Sequence, residues 1–310
     1  MPRRAAVHLA FGVFALMFCV QLARFGGLAP DPRALAGAAG ALACLALVHY
    51  TASALCERTP AWLLAGGFLA SCAPFAFHAA RAPAAPAAAL FALATLLALH
   101  RGHPRAAACA AAALVALRPE AVLVVPALVL HALWTRHRDG ETPPWLRPFA
   151  LGALLLTAAV VAVLGPRFPP PGPGAAAYLH DVMAAYLPVP VLVLAVAALS
   201  FRAAEGALFT TPPAVGLAVL AFTCATGGDP APLYRPFMTL VPLAFLLAAA
   251  GLETVLGLIG SLLSSLDRGA AVAGLLICAL QLNHVPADQA QAVLSSREQK
   301  LPRNSWNSPP

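Results

Sequence analysis

AAACAAAALVALRPEAVLVVPALVLHALW, residues 106–134, is an apolar run of 29 residues with Arg118, Pro119 and Glu120 near its middle. One α-helix of that length would extend about 43 Å, which is too long for one upright crossing of a bilayer core of about 30 Å and too short for two. Proline removes a helical hydrogen bond, and arginine at a helix centre costs about 2.5–3.5 kcal/mol on insertion scales. We therefore expect two half-helices, with Arg118 and Glu120 lining a cavity or reaching the far interface.

The composition of the whole chain indicates the same environment. Of its 310 residues, 61% are apolar and 10% are charged, and the mean hydropathy is +0.81. A soluble globular domain is about 45–50% apolar and about 25% charged, so this chain has too few polar residues to cover a water-facing surface. These values exclude a soluble domain and predict a polytopic membrane protein.

Apolar runs recur along the chain, and proline opens many of them, where the first helical turn has no hydrogen-bond donor to lose. The ten runs are Ala5–Ala23, Ala34–Leu55, Ala61–Ala80, Ala84–Leu99, Ala106–Trp134, Phe149–Leu164, Pro188–Ser200, Ala207–Cys224, Phe237–Gly257 and Gly269–Leu282. We predict an all-α fold, a polytopic membrane helix bundle of about nine or ten transmembrane helices over residues 1–282. Residues 283–310 are polar and contain several prolines, which predicts a disordered tail.

The positions of arginine bear on the topology. The basic start Met1-Pro2-Arg3-Arg4 predicts an uncleaved signal anchor in the inner membrane, with the N-terminus in the cytoplasm. If residues 106–134 form a hairpin, ten loop arginines fall inside and six outside, whereas a single crossing gives seven inside and eight outside. With the tail included, the splits become ten to nine and ten to eight, so charge alone does not choose. We favour the hairpin because it keeps Arg118 out of the membrane centre.

Other kinds of site find little support in the sequence. The net charge is +7, but the arginines are scattered between apolar runs, which is unlike a nucleic-acid-binding surface. The seven cysteines have no CxxC spacing, and the nine histidines have no metal-ligand spacing. We therefore predict no metal site and no cofactor, and a requirement for a divalent ion has no residues that support it.

Two motifs resemble those of one class of enzyme. Arg118-Pro119-Glu120 is similar to the Arg-Pro-Glu turn of polytopic bacterial glycosyltransferases with the GT-C architecture. Gly227-Gly228-Asp229, followed by Tyr234-Arg235 and an apolar helix with a proline, resembles a second motif of these enzymes. The order of the motifs and the alternation of apolar runs agree over residues 35–252. The nearest group is the terminal arabinofuranosyltransferase-like enzymes of bacterial cell walls.

The resemblance implies an inverting sugar transfer at the outer face of the cytoplasmic membrane. The donor would be a polyprenyl-phosphate-linked sugar, and the acceptor a cell-envelope glycan. Arg118 and Arg235, beside Tyr234, would neutralise the charge that develops on the leaving phosphate. Asp229 would act as the base or, with Glu120, bind sugar hydroxyl groups. Gly227 and Gly228 would let the chain turn tightly enough to bring Asp229 close to the substrate.

The sequence departs from the family where the catalytic base is expected. The family carries an acidic pair in a long first outer loop, whereas here that loop is Arg24–Arg33 with Asp31 as its only acid. Asp31 is a candidate base, although it is equally typical of a helix start. Asp181 is a substitute candidate, next to Tyr178 and His180, which would cover the site and bind substrate or would belong to an interfacial helix. The chain therefore looks truncated or degenerate at the catalytic front of the family.

Two alternatives remain open. The missing acidic loop favours a non-catalytic membrane subunit or a relic of the fold. The break at Arg118 favours a transporter of small solutes or lipids, since discontinuous helices often form substrate sites at the middle of the membrane. Against a transporter, the sequence contains no two-fold internal repeat and no pair of corresponding broken helices.

Overall fold

The computed structural model describes residues 3–27, 31–139, 144–164, 189–205, 207–226 and 238–259, and within these ranges it contains helices and no strand. The helices are α1 Arg3–Arg24, α2 Pro32–Leu55, α3 Thr59–Ser71, α4 Ala73–Arg81, α5 Ala84–His100, α6 Pro104–Leu117, α7 Val124–Asp139, α8 Leu146–Leu164, α9 Val189–Phe201, α10 Ala207–Thr210, α11 Pro212–Thr226 and α12 Val241–Ile259. Two 3₁₀ turns lie at Pro119–Leu123 and Ala203–Glu205. The predicted all-α membrane helix bundle is confirmed.

The helices differ in whether they are long enough to cross a membrane alone. Among the described residues, four helices are long and apolar enough, namely α1, α2, α8 and α12. The pair α3 and α4 would make a fifth span, bent by 49° at Cys72. Four shorter apolar helices, at Ala84–His100, Pro104–Leu117, Ala121–Trp134 and Pro212–Ala225, coincide with other predicted runs. A count of nine or ten crossings stays a prediction, and the run Gly269–Leu282 and the tail lie outside the described residues.

The first five helices form a closely packed group around α2, which contacts α1, α3, α4 and α5. Phe14, Phe18 and Phe75 are fully buried between them. Close approach depends on a missing side chain at Gly37, where a methyl group would collide with the carbonyl oxygen of Ala79. Gly251 of α12 has the same relation to the carbonyl of Leu194 in α9, so these two helices also pack backbone to backbone.

The helices on the two sides of Arg118 differ in their main neighbours. α6 packs along α5 and α8, whereas α7 packs mainly against α11 and makes a smaller contact with α8. A methyl group at Gly152 of α8 would lie 3.0 Å from the Cβ atom of Ala108 in α6, so these two helices pack closely in the first half of each. The hairpin stays a prediction.

The predicted run Ala207–Cys224 is divided in two. α10 ends at Thr210, and Pro212 and Pro213 occupy the first turn of α11. Proline cannot continue a preceding helix because it lacks the amide hydrogen and clashes with the turn before it. The two prolines therefore explain why this run is divided into two helices.

Candidate functional site

The helix break at Arg118 is the centre of the candidate site. Arg118 ends α6 in an extended conformation, with φ −140° and ψ 102°, and its N–H donates to the carbonyl of Leu114 over 2.9 Å. Its own carbonyl accepts the N–H of Ala121 at 2.9 Å, which starts the 3₁₀ turn. Pro119 accounts for the break, since the residue before proline is pushed out of the α conformation. The two predicted half-helices are thus present.

Arg118 itself is buried, with 5% of its surface exposed. Ala121, Val124 and Val125, which follow it along the chain, are buried too, so the arginine lies at the edge of an apolar core. A guanidinium in such surroundings carries a desolvation cost of several kcal/mol unless charge and hydrogen bonds offset it. A charged residue kept at this depth in a membrane protein is a candidate for function.

Near the other end of α6, charged side chains form hydrogen bonds with the backbone of the turn between α2 and α3. We call this group the polar clasp. It consists of Arg3, the turn Leu55–Arg58, Arg202, Glu205 and Glu253. Arg3 Nη2 donates to the carbonyls of Ser53 at 2.9 Å and Cys56 at 2.6 Å. Arg202 Nη2 donates to the carbonyl of Leu55 at 3.3 Å. Both arginines thereby satisfy carbonyls that the last turn of α2 leaves without helical donors.

Glu253 completes the polar clasp from a remote part of the chain. Its Oε1 accepts the N–H of Glu57 at 3.2 Å, and its Oε2 accepts the N–H of Arg58 at 3.1 Å. Arg58 is the N-cap residue of α3 and provides no side-chain cap, so a carboxylate on α12 caps α3 instead. No local sequence pattern predicts this contact, because 196 residues separate Glu57 from Glu253.

Arg202 ties two more helices to the polar clasp. It pairs with Glu205 at 2.6 Å, three residues later in the chain, and its guanidinium carbon lies 4.8 Å from the centre of the Phe209 ring. Phe209 in turn meets His100 edge to face, with ring centres 6.3 Å apart. The end of α5 and the short α10 therefore lie at the same end of the bundle as the polar clasp.

Four helices that begin or end beside the polar clasp have their other ends at about the same distance from it. α3 and α6 start at this end and have 13 and 14 residues, so they extend about 20 and 21 Å. α11 starts just after Phe209 and has 15 residues, or about 22 Å. In α12, Val241 precedes Glu253 by twelve residues, or about 18 Å. Four helix ends thus lie about 20 Å from the polar clasp, and we call this height the break level.

Near the break level, the turn after Arg118 lies beside the helix that precedes the second motif in the sequence. The 3₁₀ turn Pro119–Leu123 contacts α11, and α7 packs along the same helix. α11 ends at Thr226, immediately before Gly227 in the sequence, and α12 begins six residues after Arg235. The turn after Arg118 and α7 therefore contact α11, the helix that precedes the second motif in the sequence, although about 100 residues separate them.

Most of the predicted site residues lie outside the described residues. These are Tyr178, His180, Asp181, Gly227, Gly228, Asp229, Tyr234 and Arg235. Glu120 is described only as backbone, within the 3₁₀ turn after Arg118. Their roles stay predictions, and the described part of the candidate site consists of Arg118 and the helix ends around it.

Asp31 is described in full and caps a helix. It is the exposed N-cap residue of α2, and its Oδ1 accepts the N–H of Arg33 at 3.1 Å. Of the two uses open to Asp31 in the sequence, the start of a helix is the one present. A catalytic role for Asp31 stays a prediction, and the hydrogen bond to Arg33 holds its carboxylate against the backbone of α2.

The polar clasp also contains a buried thiol. Cys56 is 1% exposed, and burial, with a smaller contribution from the charge of Glu253, raises the pKa of its thiol to about 12. The group therefore stays protonated at physiological pH and acts as a small apolar side chain. No group of three or more His, Cys, Asp or Glu side chains suited to a metal ion occurs among the described residues.

Comparisons of the chain with protein-family models, with curated proteins and with solved structures found no match.

Proposed function

We propose that this protein is a membrane glycosyltransferase of the GT-C type, which transfers a sugar from a polyprenyl-phosphate donor to a cell-envelope glycan. The observation that supports this proposal most is the convergence at the break level. A buried arginine, the turn that follows it and the helix that leads to Gly227-Gly228-Asp229 meet there. A site for a lipid-linked phosphate needs both a cation and access from the membrane, and this arrangement provides the cation at membrane depth.

In this proposal, the polar clasp faces the cytoplasm and the break level opens toward the outer face. The arginines grouped at the end of the polar clasp are Arg3, Arg4, Arg58, Arg101, Arg105 and Arg202, whereas Arg24, Arg33 and Arg81 lie at the other end. Cytoplasmic loops carry the excess of arginine and lysine in most membrane proteins. The uneven split supports a cytoplasmic N-terminus in the inner membrane.

Each predicted residue then has a chemical role. The guanidinium groups of Arg118 and Arg235 stabilise the negative charge on the departing lipid phosphate through paired N–H donors. Asp229, or Asp181, removes the proton of the acceptor hydroxyl as that oxygen attacks the anomeric carbon from the opposite side, which inverts the configuration. Glu120, Tyr178, His180 and Tyr234 hold the sugar.

The alternative of a non-catalytic relative is supported by Asp31. It is the only acid between α1 and α2, and its carboxylate already caps α2. A protein with this arrangement and no other base would bind the lipid phosphate without turning it over. Donor binding and turnover therefore have to be measured separately.

Native mass spectrometry of the detergent-purified chain tests donor binding. We expect a co-purifying polyprenyl phosphate in the wild type, its loss in Arg118→Gln and in Arg235→Ala, and its retention in Arg101→Gln, an exposed arginine at the far end of the bundle. Lipid retained by both site variants would refute the site. If lipid binds, sugar transfer from a synthetic donor by wild type and Asp229→Asn then separates an enzyme from a relic.

A transporter is the second candidate, and one observation now favours it. α3 and α4 form a helix bent by 49° at Cys72, in addition to the break at Arg118, although the sequence contains no internal repeat that would make these two breaks correspond. Two discontinuous helices are a common feature of transporter sites. Proteoliposomes that move a fluorescent polyprenyl phosphate between leaflets, without any sugar transfer, would favour the transporter over the transferase.

A further inference from the structure

A histidine lies at the edge of the polar clasp and has no part in the proposed sugar transfer. His100 is the last residue of α5 and follows the apolar run Ala84–Leu99. Its ring stands at 90° to that of Phe209, with ring centres 6.3 Å apart. The guanidinium carbon of Arg202 lies 4.8 Å from the centre of the same phenylalanine ring. The imidazole of His100 and the guanidinium of Arg202 thus contact one phenylalanine.

The surroundings of His100 suit the neutral form of its ring. Nδ1 is buried and has no hydrogen-bond partner within the described part of the chain. A neutral imidazole can leave one ring nitrogen without a hydrogen atom, whereas both nitrogens of the protonated ring are donors. Protonation therefore adds a buried N–H group that has no acceptor in this arrangement, which costs free energy.

Three charged groups act on the ring of His100. Arg101 and Arg202 oppose a positive charge there, and Glu205 favours one. Burial and then the charge of Arg101 lower the pKa of His100 from its ordinary value of 6.5, and Glu205 offsets only part of this effect. The helices packed against α5 and their adjoining turns also bring titratable groups to this end, namely Cys56, Glu57, His103, Arg105 and Glu253, whereas α4 meets α5 at its other end.

Glu205 is the acid on which a protonated His100 would draw, and Arg202 already uses it. Nε of Arg202 donates to Oε1 of Glu205 at 2.7 Å, and Nη2 lies 2.6 Å from Oε2. A positive charge on His100 would therefore repel the guanidinium of Arg202 and compete with it for the carboxylate. Both effects weaken the hold of Glu205 on Arg202.

Arg202 connects this competition to the backbone of the polar clasp. Its Nη2 also donates to the carbonyl of Leu55 at 3.3 Å, at the start of the turn whose next amides bind Glu253. We propose that His100 is an acid sensor: when its ring takes up a proton, Arg202 leaves the carbonyl of Leu55 and the polar clasp opens. Since α3 begins at this turn and α12 carries Glu253, opening releases two helices that extend to the break level.

The direction of the pKa shift sets the sign of the pH dependence. The pKa of His100 is lower in the folded than in the unfolded state, so the unfolded state binds more protons between the two values. The stability that this group contributes is therefore complete above about pH 6.5 and is lost as the pH falls through the lower, folded-state value.

Thermal unfolding of the full chain in detergent, at about pH 7.5 and pH 5.5, tests the titrating group. Between these values the unfolding temperature of the wild type should fall a few °C further than that of His100→Phe, which keeps an aromatic ring beside Phe209 but does not titrate. The matched control is His103→Gln, which changes an exposed histidine that provides no side-chain cap to α6, and it should behave like the wild type. His100→Gln replaces the phenylalanine variant if that variant does not fold.

Hydrogen exchange of the Glu57 and Arg58 amides tests the opening itself, because both amides are bonded to Glu253 in the closed polar clasp. After correction for the intrinsic effect of pH, their protection should fall severalfold at pH 5.5 in the wild type and stay unchanged in His100→Phe. Equal pH dependence of the two proteins would overturn the proposal. A loss of stability without a loss of this protection would also overturn it, since His100 would then act without opening the polar clasp. None of these results depends on whether the protein transfers a sugar.

Discussion

Two helix breaks lie at the same height in this protein, one at Cys72 between α3 and α4 and one at Arg118 between α6 and α7. Both are caused by proline, Pro74 in the first helix and Pro119 in the second. At the first break, Nε2 of the buried Gln21 donates to the carbonyl of Ser71 over 3.5 Å. At the second break, an arginine is buried.

The two breaks also differ in what happens to the chain. α3 and α4 keep common neighbours, since both pack against α1 and α2, and they form one bent span. α6 packs mainly along α5 and α8, whereas α7 packs mainly against α11, and α8 contacts both. A proline is therefore enough to break a helix of this bundle, and the break that carries a buried arginine is the one whose two helices differ in their main neighbours.

The largest difference between the two breaks should appear in ligand binding. Arg118→Gln removes a charge-assisted contact worth about 1.5–3 kcal/mol, so retention of a polyprenyl phosphate should fall between about tenfold and a hundredfold. Gln21→Leu, at the break beside Cys72, should leave retention of the polyprenyl phosphate unchanged. Titration of both variants by native mass spectrometry checks this, and equal losses would show that the breaks do not differ in function.

The next largest effect should come from the polar clasp and should concern stability alone. Glu253→Ala removes both acceptors that cap α3, so the free energy of unfolding should fall by about 2 kcal/mol. Thermal unfolding in detergent measures this change. Glu253→Gln keeps one acceptor oxygen and should lose about half as much, and neither variant should alter lipid retention.

A smaller change in stability is expected at the break beside Cys72. Gln21→Leu loses one long hydrogen bond to Ser71 but also removes a buried polar group, so the cost should be about 1 kcal/mol or less. A loss as large as that of Glu253→Ala would mean that Gln21, and not the packing of α4 on α2, holds the bend. Thermal unfolding under the same conditions gives the comparison.

The smallest effect at neutral pH should come from Cys56. Its thiol pKa rises from 9.0 to about 12 in the folded protein, so the folded state binds more protons than the unfolded state between these values. Stability from this group is complete below pH 9 and is lost as the pH rises toward 12. Cys56→Ala should reduce the decline in unfolding temperature over that range, and an identical decline in both proteins would contradict the assignment.

The sequence predicts much of the fold because composition and proline positions report directly on the environment of the chain. The break at Arg118 and the division at Pro212-Pro213 follow from the missing amide hydrogen of proline. The bend at Cys72 differs from the prediction, which treats Ala61–Ala80 as one unbroken apolar run in spite of Pro74. A proline inside an apolar run was the signal that could have found it.

The candidate site is predicted less fully, for a different physical reason. Arg118 stands out in sequence because a charge in an apolar run is costly. Glu253 and Arg202 look like ordinary interfacial residues, and only folding shows that they bind backbone groups around residue 57. Such contacts join residues far apart in the chain, and neither hydrophobic periodicity nor a motif reports them.

Spin labels placed on both sides of the break level test the geometry most directly. Ala116 and Ala225 are exposed residues just before the ends of α6 and α11, and Arg101 is exposed at the end near the polar clasp. Collision-gradient measurements in bilayers should place the labels at 116 and 225 at the same depth within a few Å, and about 20 Å from the label at 101. Labels at 116 and 225 separated by half the bilayer would show that the two motifs do not share one level.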